Sequence, residues 1–215
     1  MKKILKFIKK NFLWLIAFAG LTIFTFIVRR LFTNNISHID SFVYDHIKWL
    51  ICPPLTQVFK IITEFGNFYI MTFILIVILI TGKDKSFKKY FTINYGLVAL
   101  LNVFLKSIFE RQRPVDINLI VEKGFSFPSG HSMVSFAFYG FLAYYIYHSN
   151  LKKPTKYFLI ILQGIIVCLI GLSRIYLGAH YFTDVIGGFS ITAVYLVLYI
   201  KFVYQNQLAK EKKVK

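Results

Sequence analysis

The sequence predicts an all-α protein, a six-span transmembrane helical bundle with one further helix lying at its outer face. Three observations lead there. Hydrophobic residues make up 57% of the 215-residue chain and charged residues only 16%, against about 25% charged in an ordinary soluble domain. So much apolar surface cannot all be hidden in one soluble core of this size. The apolar residues also gather into runs close to the ~20 residues a helix needs to cross the hydrocarbon layer. With only Cys52 and Cys168, a disulfide scaffold is excluded, and the hydrophobicity excludes disorder.

Six runs are expected to span: residues 12–28, 62–81, 90–105, 131–147, 157–172 and 182–204. The first follows Lys2, Lys3, Lys6, Lys9 and Lys10, and Ala17-Phe18-Ala19 resembles a signal-peptide cleavage site. The apolar stretch before that site is only about five residues against the usual 7–15, and the run continues past it, so an uncleaved first span is expected. The second run carries Glu64, Gly66 and Asn67 in its first turns. Residues 34–60 are not read as a span, because Asp40, Asp45, Lys48 and Lys60 interrupt them and Pro53-Pro54 would break a long helix. Within them Ile36, Ile39, Phe42, Val43, Ile47 and Leu50 recur at helical spacing. This predicts an amphipathic helix at the outer interface, either guarding a lateral entrance for lipid or shielding the bundle ends. The chain divides accordingly into an N-terminal span with its interfacial segment (1–61), a core of spans two to six (62–205) and a basic cytoplasmic tail (206–215).

The net charge of +17 could suggest a nucleic-acid partner. A nucleic-acid binder lines a face of a folded domain with basic residues, whereas here they fall in short clusters between apolar runs. With both termini in the cytoplasm, the inner segments hold 17 Lys and Arg and the outer segments nine, as the positive-inside rule requires. Nucleic acid is excluded as a partner, and a multi-pass cell-membrane protein is expected.

Polar residues collect at the outer span ends. Lys106 and Arg113 are seven apart and would share a helix face if the helix persisted. Pro114 biases Arg113 out of helical geometry, which would swing it back over the span end; interface anchoring would explain the pair equally well. The fourth run opens Pro128-Ser129-Gly130-His131. Ser129 can cap the helix, and free backbone N–H groups at such a terminus attract anions; a capped helix with an interfacial histidine is the plain alternative. The fifth run ends at Ser173-Arg174, followed by His180 and Asp184. If the sixth helix begins early, these two stack on one face, and the carboxylate can accept the Nδ1 proton and leave Nε2 nucleophilic. A structural ion pair of His180, Asp184 and Arg174 is the alternative there. Taken together, the alternating spans bring three cations, a turn of backbone donors and two histidines to one face. No residue spacing suggests a metal site. Such donors can bind a tetrahedral oxyanion such as phosphate.

The pattern Lys106-x6-Arg113-Pro114, Pro128-Ser129-Gly130-His131 and Ser173-Arg174-x5-His180-x3-Asp184 resembles the three-part signature of the type 2 phosphatidic acid phosphatase family, with every position present. The resemblance implies a membrane lipid phosphatase that needs no cofactor or metal. His180 would be the nucleophile, Asp184 would hold its ring, and His131 would protonate the leaving oxygen and later activate water. Lys106, Arg113, Ser129, Gly130 and Arg174 would hold the phosphoryl oxygens. The same signature occurs in soluble vanadium-dependent haloperoxidases, against which six spans argue; a non-catalytic lipid-phosphate transporter or sensor would not need the histidines. For substrate, an outward-facing site favours undecaprenyl diphosphate, a carrier released on that face, with phosphatidylglycerophosphate or phosphatidate as the alternative. Glu110, Asp116 and Glu122 are expected to be solvated loop charges, with the tuning of a neighbouring cation by Glu110 or Glu122 as the alternative, and no disulfide is expected. The oligomeric state is not legible.

Overall fold

The computed structural model describes residues 2–206 apart from 34, 116 and 117, with side chains from residue 10 onward. Among the described residues every regular element is helical: α1 (Lys2–Phe32), α2 (Ser37–Ile47), α3 (Pro53–Glu64), α4 (Phe68–Thr81), α5 (Lys85–Phe109), α6 (Gly130–His148), α7 (Lys153–Tyr176) and α8 (Phe182–Leu198). A π-helical turn, Tyr199–Tyr204, continues α8. Apart from Asn206, the basic tail lies outside the described residues.

Local chemistry sets the helix starts. Asn67 caps α4 by accepting from the Tyr69 amide at 3.0 Å, and Asp84 caps α5 by accepting from the Phe87 amide at 2.9 Å. α3 and α7 carry proline in their first turn, where the missing N–H costs nothing. Asn67 also explains a departure from expectation. The second apolar run is not one straight helix: α3 and α4 meet at a 47° bend, broken at Phe65–Asn67 where Gly66 and the new cap stand. Position 61/62, taken as a boundary, falls inside α3.

Four helices are long and apolar enough to cross a membrane (Lys10–Phe32, Lys85–Phe109, Lys153–Tyr176 and Phe182–Tyr204), and the bent α3–α4 pair makes a fifth if taken as one broken span. The run expected at 131–147 forms α6, but α6 is less apolar than these four helices. Its 19 residues would reach about 28 Å. Its composition is the reason: Ser132, Ser135, Gly140 and a run of tyrosines lower its hydropathy. α6 stands in the middle of the bundle, packed on α5, α7 and α8, so its side chains face other helices more than lipid. Its Phe138 and Phe141 join Phe91, Met71 and Ile170, all fully buried, in the main core.

The remaining contacts follow from this centre. α1 lies along α8, and α3 along α7. α2 forms where the amphipathic pattern places a helix, but it does not simply expose its charges: Asp40 is 4% exposed, while Phe42, and Trp49 in the turn that follows, stand open. Cys52 and Cys168 are free thiols.

The α1–α8 contact is set by a glycine. A Cβ at Gly20 would lie 2.6 Å from the Ser190 carbonyl oxygen, whereas one at Gly96 would meet nothing within 4 Å. Gly20→Leu is expected to lower the thermal midpoint in detergent by on the order of 5 °C. Gly96→Ala should leave it unchanged or raise it slightly; thermal unfolding followed by circular dichroism checks both.

Candidate active site

The site is assembled where α7 stops. At the end of α7 the chain reverses through Gly178, whose φ of +69° is open to glycine at little cost. The amides of Ala179 and His180 then both donate to the Arg174 carbonyl, at 3.1 and 3.2 Å. The turn folds His180 back over the helix end, 3% exposed, beside an Arg174 that is 1% exposed. Arg174 donates from Nη1 to Thr63 Oγ1 at 2.7 Å and from Nη2 to Glu122. Its Nε is buried and has no partner among the described residues.

Two other segments close on this turn. α5 ends at Glu110, in the left-handed region at φ 45°, and the chain runs on unwound through Arg111 and Arg113. Lys106, in the last turn of α5, donates to the carbonyls of Phe125 and Ser126. Arg113 swings back: Nε donates to Gly124 O at 2.9 Å, Nη2 to Lys123 O at 3.1 Å, and Nη1 to Ala179 O at 2.8 Å. The same Nη1 lies 3.3 Å from His180 Nε2. Ser129 caps α6, accepting from the Ser132 amide at 3.4 Å. Its own amide donates to Asp184 O at 3.1 Å. Gly130 packs so closely on Asn102 that a Cβ there would lie 3.0 Å from Oδ1, and Asn102 donates to Pro128 O at 3.1 Å. His131, next in the chain, lies within the electrostatic reach of Arg174, His180, Arg113 and Lys106.

Asp184 has no exposed surface. Oδ1 accepts from Arg111 Nη1 at 2.6 Å, and Oδ2 accepts from the Tyr181 amide at 2.9 Å and from the Ser126 hydroxyl. Arg111 also pairs with Asp40 at 2.6 Å, and Asp40 accepts from the Thr183 amide at 2.9 Å and hydroxyl at 2.8 Å. The expected geometry of His180 on Asp184 is corrected here. α8 begins at Phe182, so His180 precedes the helix instead of riding on its face. Its Nδ1 is 3.6 Å from Asp184 Oδ2, too far for a hydrogen bond. Ser126 Oγ lies 3.2 Å from Nδ1 and also bonds Asp184 Oδ2, so it touches both groups.

The family model of the PAP2 superfamily matches residues 88–208, more than half of the chain and every site residue named above except Asp40 and Thr63. The chain belongs to the PAP2 superfamily. It is 34% identical over 175 residues to phosphatidylglycerophosphatase B of Bacillus subtilis (strain 168), covering 78% of this chain and 85% of that one. It is 30% identical over 159 residues to sphingosine-1-phosphate phosphatase 1 of Mus musculus, covering 70% of this chain but 35% of that longer one. Among solved structures it matches the transmembrane PAP2 type phosphatidylglycerolphosphate phosphatase from Bacillus subtilis at a TM-score of 0.75 and 30% identity, covering 91% of this chain and 97% of that one. It matches Aquifex aeolicus LpxE at a TM-score of 0.61 and 25% identity, covering 74% and 93%. The protein is a membrane phosphatase, a hydrolase.

In this PAP2 phosphatase all eight residues singled out by spacing gather at one end of the bundle. Several partners escaped that reading. Ser126, Thr63 and Thr183 carry no spacing signal, and Arg111 was counted only as a charge. Asp40 had one: it stands on the same helical stripe as Ile36, Val43 and Ile47, a carboxylate in an apolar row. Glu122 is not a solvated loop charge. Burial works to raise its carboxyl, but Arg174, helped by Arg113 and His180, holds it below its ordinary value. His46 and His148 take no part, each bonding a carbonyl of its own helix.

Burial pushes the His180 imidazole from 6.5 down to about 4, against the upward pull of Asp184 and with the cations Arg174 and Arg113 adding to the fall. The ring is therefore neutral at pH 7. Between those values the unfolded chain binds the extra proton, so this group favours folding fully above about pH 6.5 and less as the pH falls towards 4. Histidine-labelled NMR should find His180 titrating about 4; a midpoint near 6.5 would contradict this burial.

Proposed function

We propose that the protein removes the terminal phosphate of a membrane lipid phosphate, phosphatidylglycerophosphate or phosphatidate first among them, through a phosphohistidine on His180. One observation carries the reading: a neutral, buried histidine has its Nε2 directed at Arg113, inside a ring of cations, in a chain related to phosphatidylglycerophosphatase B. Lys106, Arg113, Arg174 through its Nε, Ser129 and the Gly130 amide hold the phosphoryl oxygens and offset their charge without a metal. His180 Nε2 attacks phosphorus, the bond to the lipid oxygen breaks, and protonated His131 gives that oxygen its proton. Water then attacks phosphorus while His131 takes a proton from it, and the P–N bond breaks to release inorganic phosphate.

The expectation of undecaprenyl diphosphate rested on an outward-facing site alone. No residue of the site is assigned to a second phosphate, and the likeness to phosphatidylglycerophosphatase B and to the Bacillus subtilis structure supports a glycerolipid phosphomonoester instead. A six-span layout, with α6 crossing at the centre, both termini cytoplasmic and the site at the outer face beside an interfacial α2, agrees with the lysine distribution and belongs to the same proposal. A transporter or sensor is disfavoured, since it has no use for His131 and His180 together.

Detergent-purified protein assayed with chelator should release phosphate from phosphatidylglycerophosphate and phosphatidate faster than from undecaprenyl diphosphate. The reverse order would restore the carrier-recycling reading. His180→Ala should abolish release, and an easily measured residual rate would refute the nucleophile. His131→Ala should cost about 10²–10⁴-fold and leave traces.

A further inference from the structure

Hydrogen-bond direction around His180 can be worked out from one partner. A guanidinium has five N–H donors and no acceptor. The 3.3 Å contact of Arg113 Nη1 with His180 Nε2 therefore requires Nε2 to accept, and a neutral ring accepting at Nε2 carries its proton on Nδ1. That proton needs an acceptor in a site with almost no exposed surface. Asp184 is too far at 3.6 Å, and its oxygens already receive Arg111, the Tyr181 amide and Ser126. Ser126 Oγ is 3.2 Å from Nδ1. The hydroxyl has one proton, which goes to the carboxylate, so towards the ring it can only accept.

We propose that Ser126 is a positioning residue that couples Asp184 to the nucleophile, through the chain His180 Nδ1–H to Ser126 Oγ–H to Asp184 Oδ2. The carboxylate acts on the ring at one remove. The hydroxyl polarises towards Nδ1 as positive charge builds on the phosphorylated imidazole, and no proton leaves the ring. Ser126 is itself fully buried, and its carbonyl accepts from Lys106 at 3.5 Å, while its amide donates to Arg111 O at 2.7 Å. Backbone bonds thus fix the hydroxyl in place from both sides.

This inference rests on the phosphatase reading for its kinetic effect but not for its hydrogen bonds, so the two can be tested apart. In the full-length protein, Ser126→Ala removes the bridge and Ser126→Thr keeps the hydroxyl. Ser126→Ala should lower kcat about 10–100-fold, the size of loss seen when the partner that orients a metal-bound histidine is removed, with KM nearly unchanged; Ser126→Thr should recover much of that loss. In NMR of the resting protein without lipid, the His180 Nδ1–H proton should resonate downfield and exchange slowly in wild type and Ser126→Thr. In Ser126→Ala it should shift and exchange faster. A Ser126→Ala protein of unchanged thermal midpoint with unaltered Nδ1–H resonance and kcat would overturn the proposal, as would a change in KM alone. If wild type released no phosphate from any lipid, the functional reading would fall while the NMR comparison still decided the relay.

Discussion

A carboxylate with no exposed surface, at the end of an apolar helix, is the most demanding group in this protein. Desolvating such a charge costs several kcal/mol unless it is paired and hydrogen-bonded, and stripping one partner from a buried pair typically costs about 3–5 kcal/mol. Asp184 meets the condition with Arg111, the Ser126 hydroxyl and the Tyr181 amide. Arg111 then divides its guanidinium between Asp184 and Asp40, each at 2.6 Å, and lies 4.1 Å from the centre of the Tyr181 ring. One side chain so joins α2, the unwound chain after α5 and the start of α8. The turn that carries His180 is fastened on one side by this knot and on the other by the Arg174 carbonyl.

The cations are held in two different ways. Arg111 and Arg174 are paired with carboxylates, Asp40 and Asp184 for the first, Glu122 for the second. Lys106 and Arg113 are tethered by backbone carbonyls: Phe125 and Ser126 for the lysine, Lys123, Gly124 and Ala179 for the arginine. A neutral acceptor fixes a cation's position without cancelling its charge. Arg113 beside His180 and Lys106 beside Ser126 therefore carry no directly bonded carboxylate, and a bound anion would interact with them more strongly in this buried setting than in water.

How far the sequence was legible depended on the range of the interaction. Helices set by apolar runs and local caps were readable, as was the gathering at one end of the bundle of residues related by spacing within one segment: Lys106 with Arg113, Ser129 ahead of α6, His180 ahead of Asp184. The bend at Phe65–Asn67 was announced by Glu64, Gly66 and Asn67, but the length of the run suggested continuity. α6 read as one span among six, because composition does not reveal that a helix stands at the centre of a bundle. Contacts across long stretches of chain left no local trace, so Arg111 with Asp40, Arg174 with Thr63 and Glu122, and Ser126 with His180 emerged only from the fold. Asp40 is the instructive case, since its position in an apolar stripe was visible and was taken as an interruption.

Arg113 has a double engagement that bears on reactivity in general. Its N–H occupies the lone pair on His180 Nε2, the one with which the ring would react, and the same guanidinium is suited to grip phosphoryl oxygens. In the resting protein the ring is masked. An anion that draws the guanidinium towards itself unmasks the lone pair in the same movement, whereas an uncharged electrophile has no means of doing so. If His180 is the nucleophile, this contact would make its exposure conditional on the charge of what arrives.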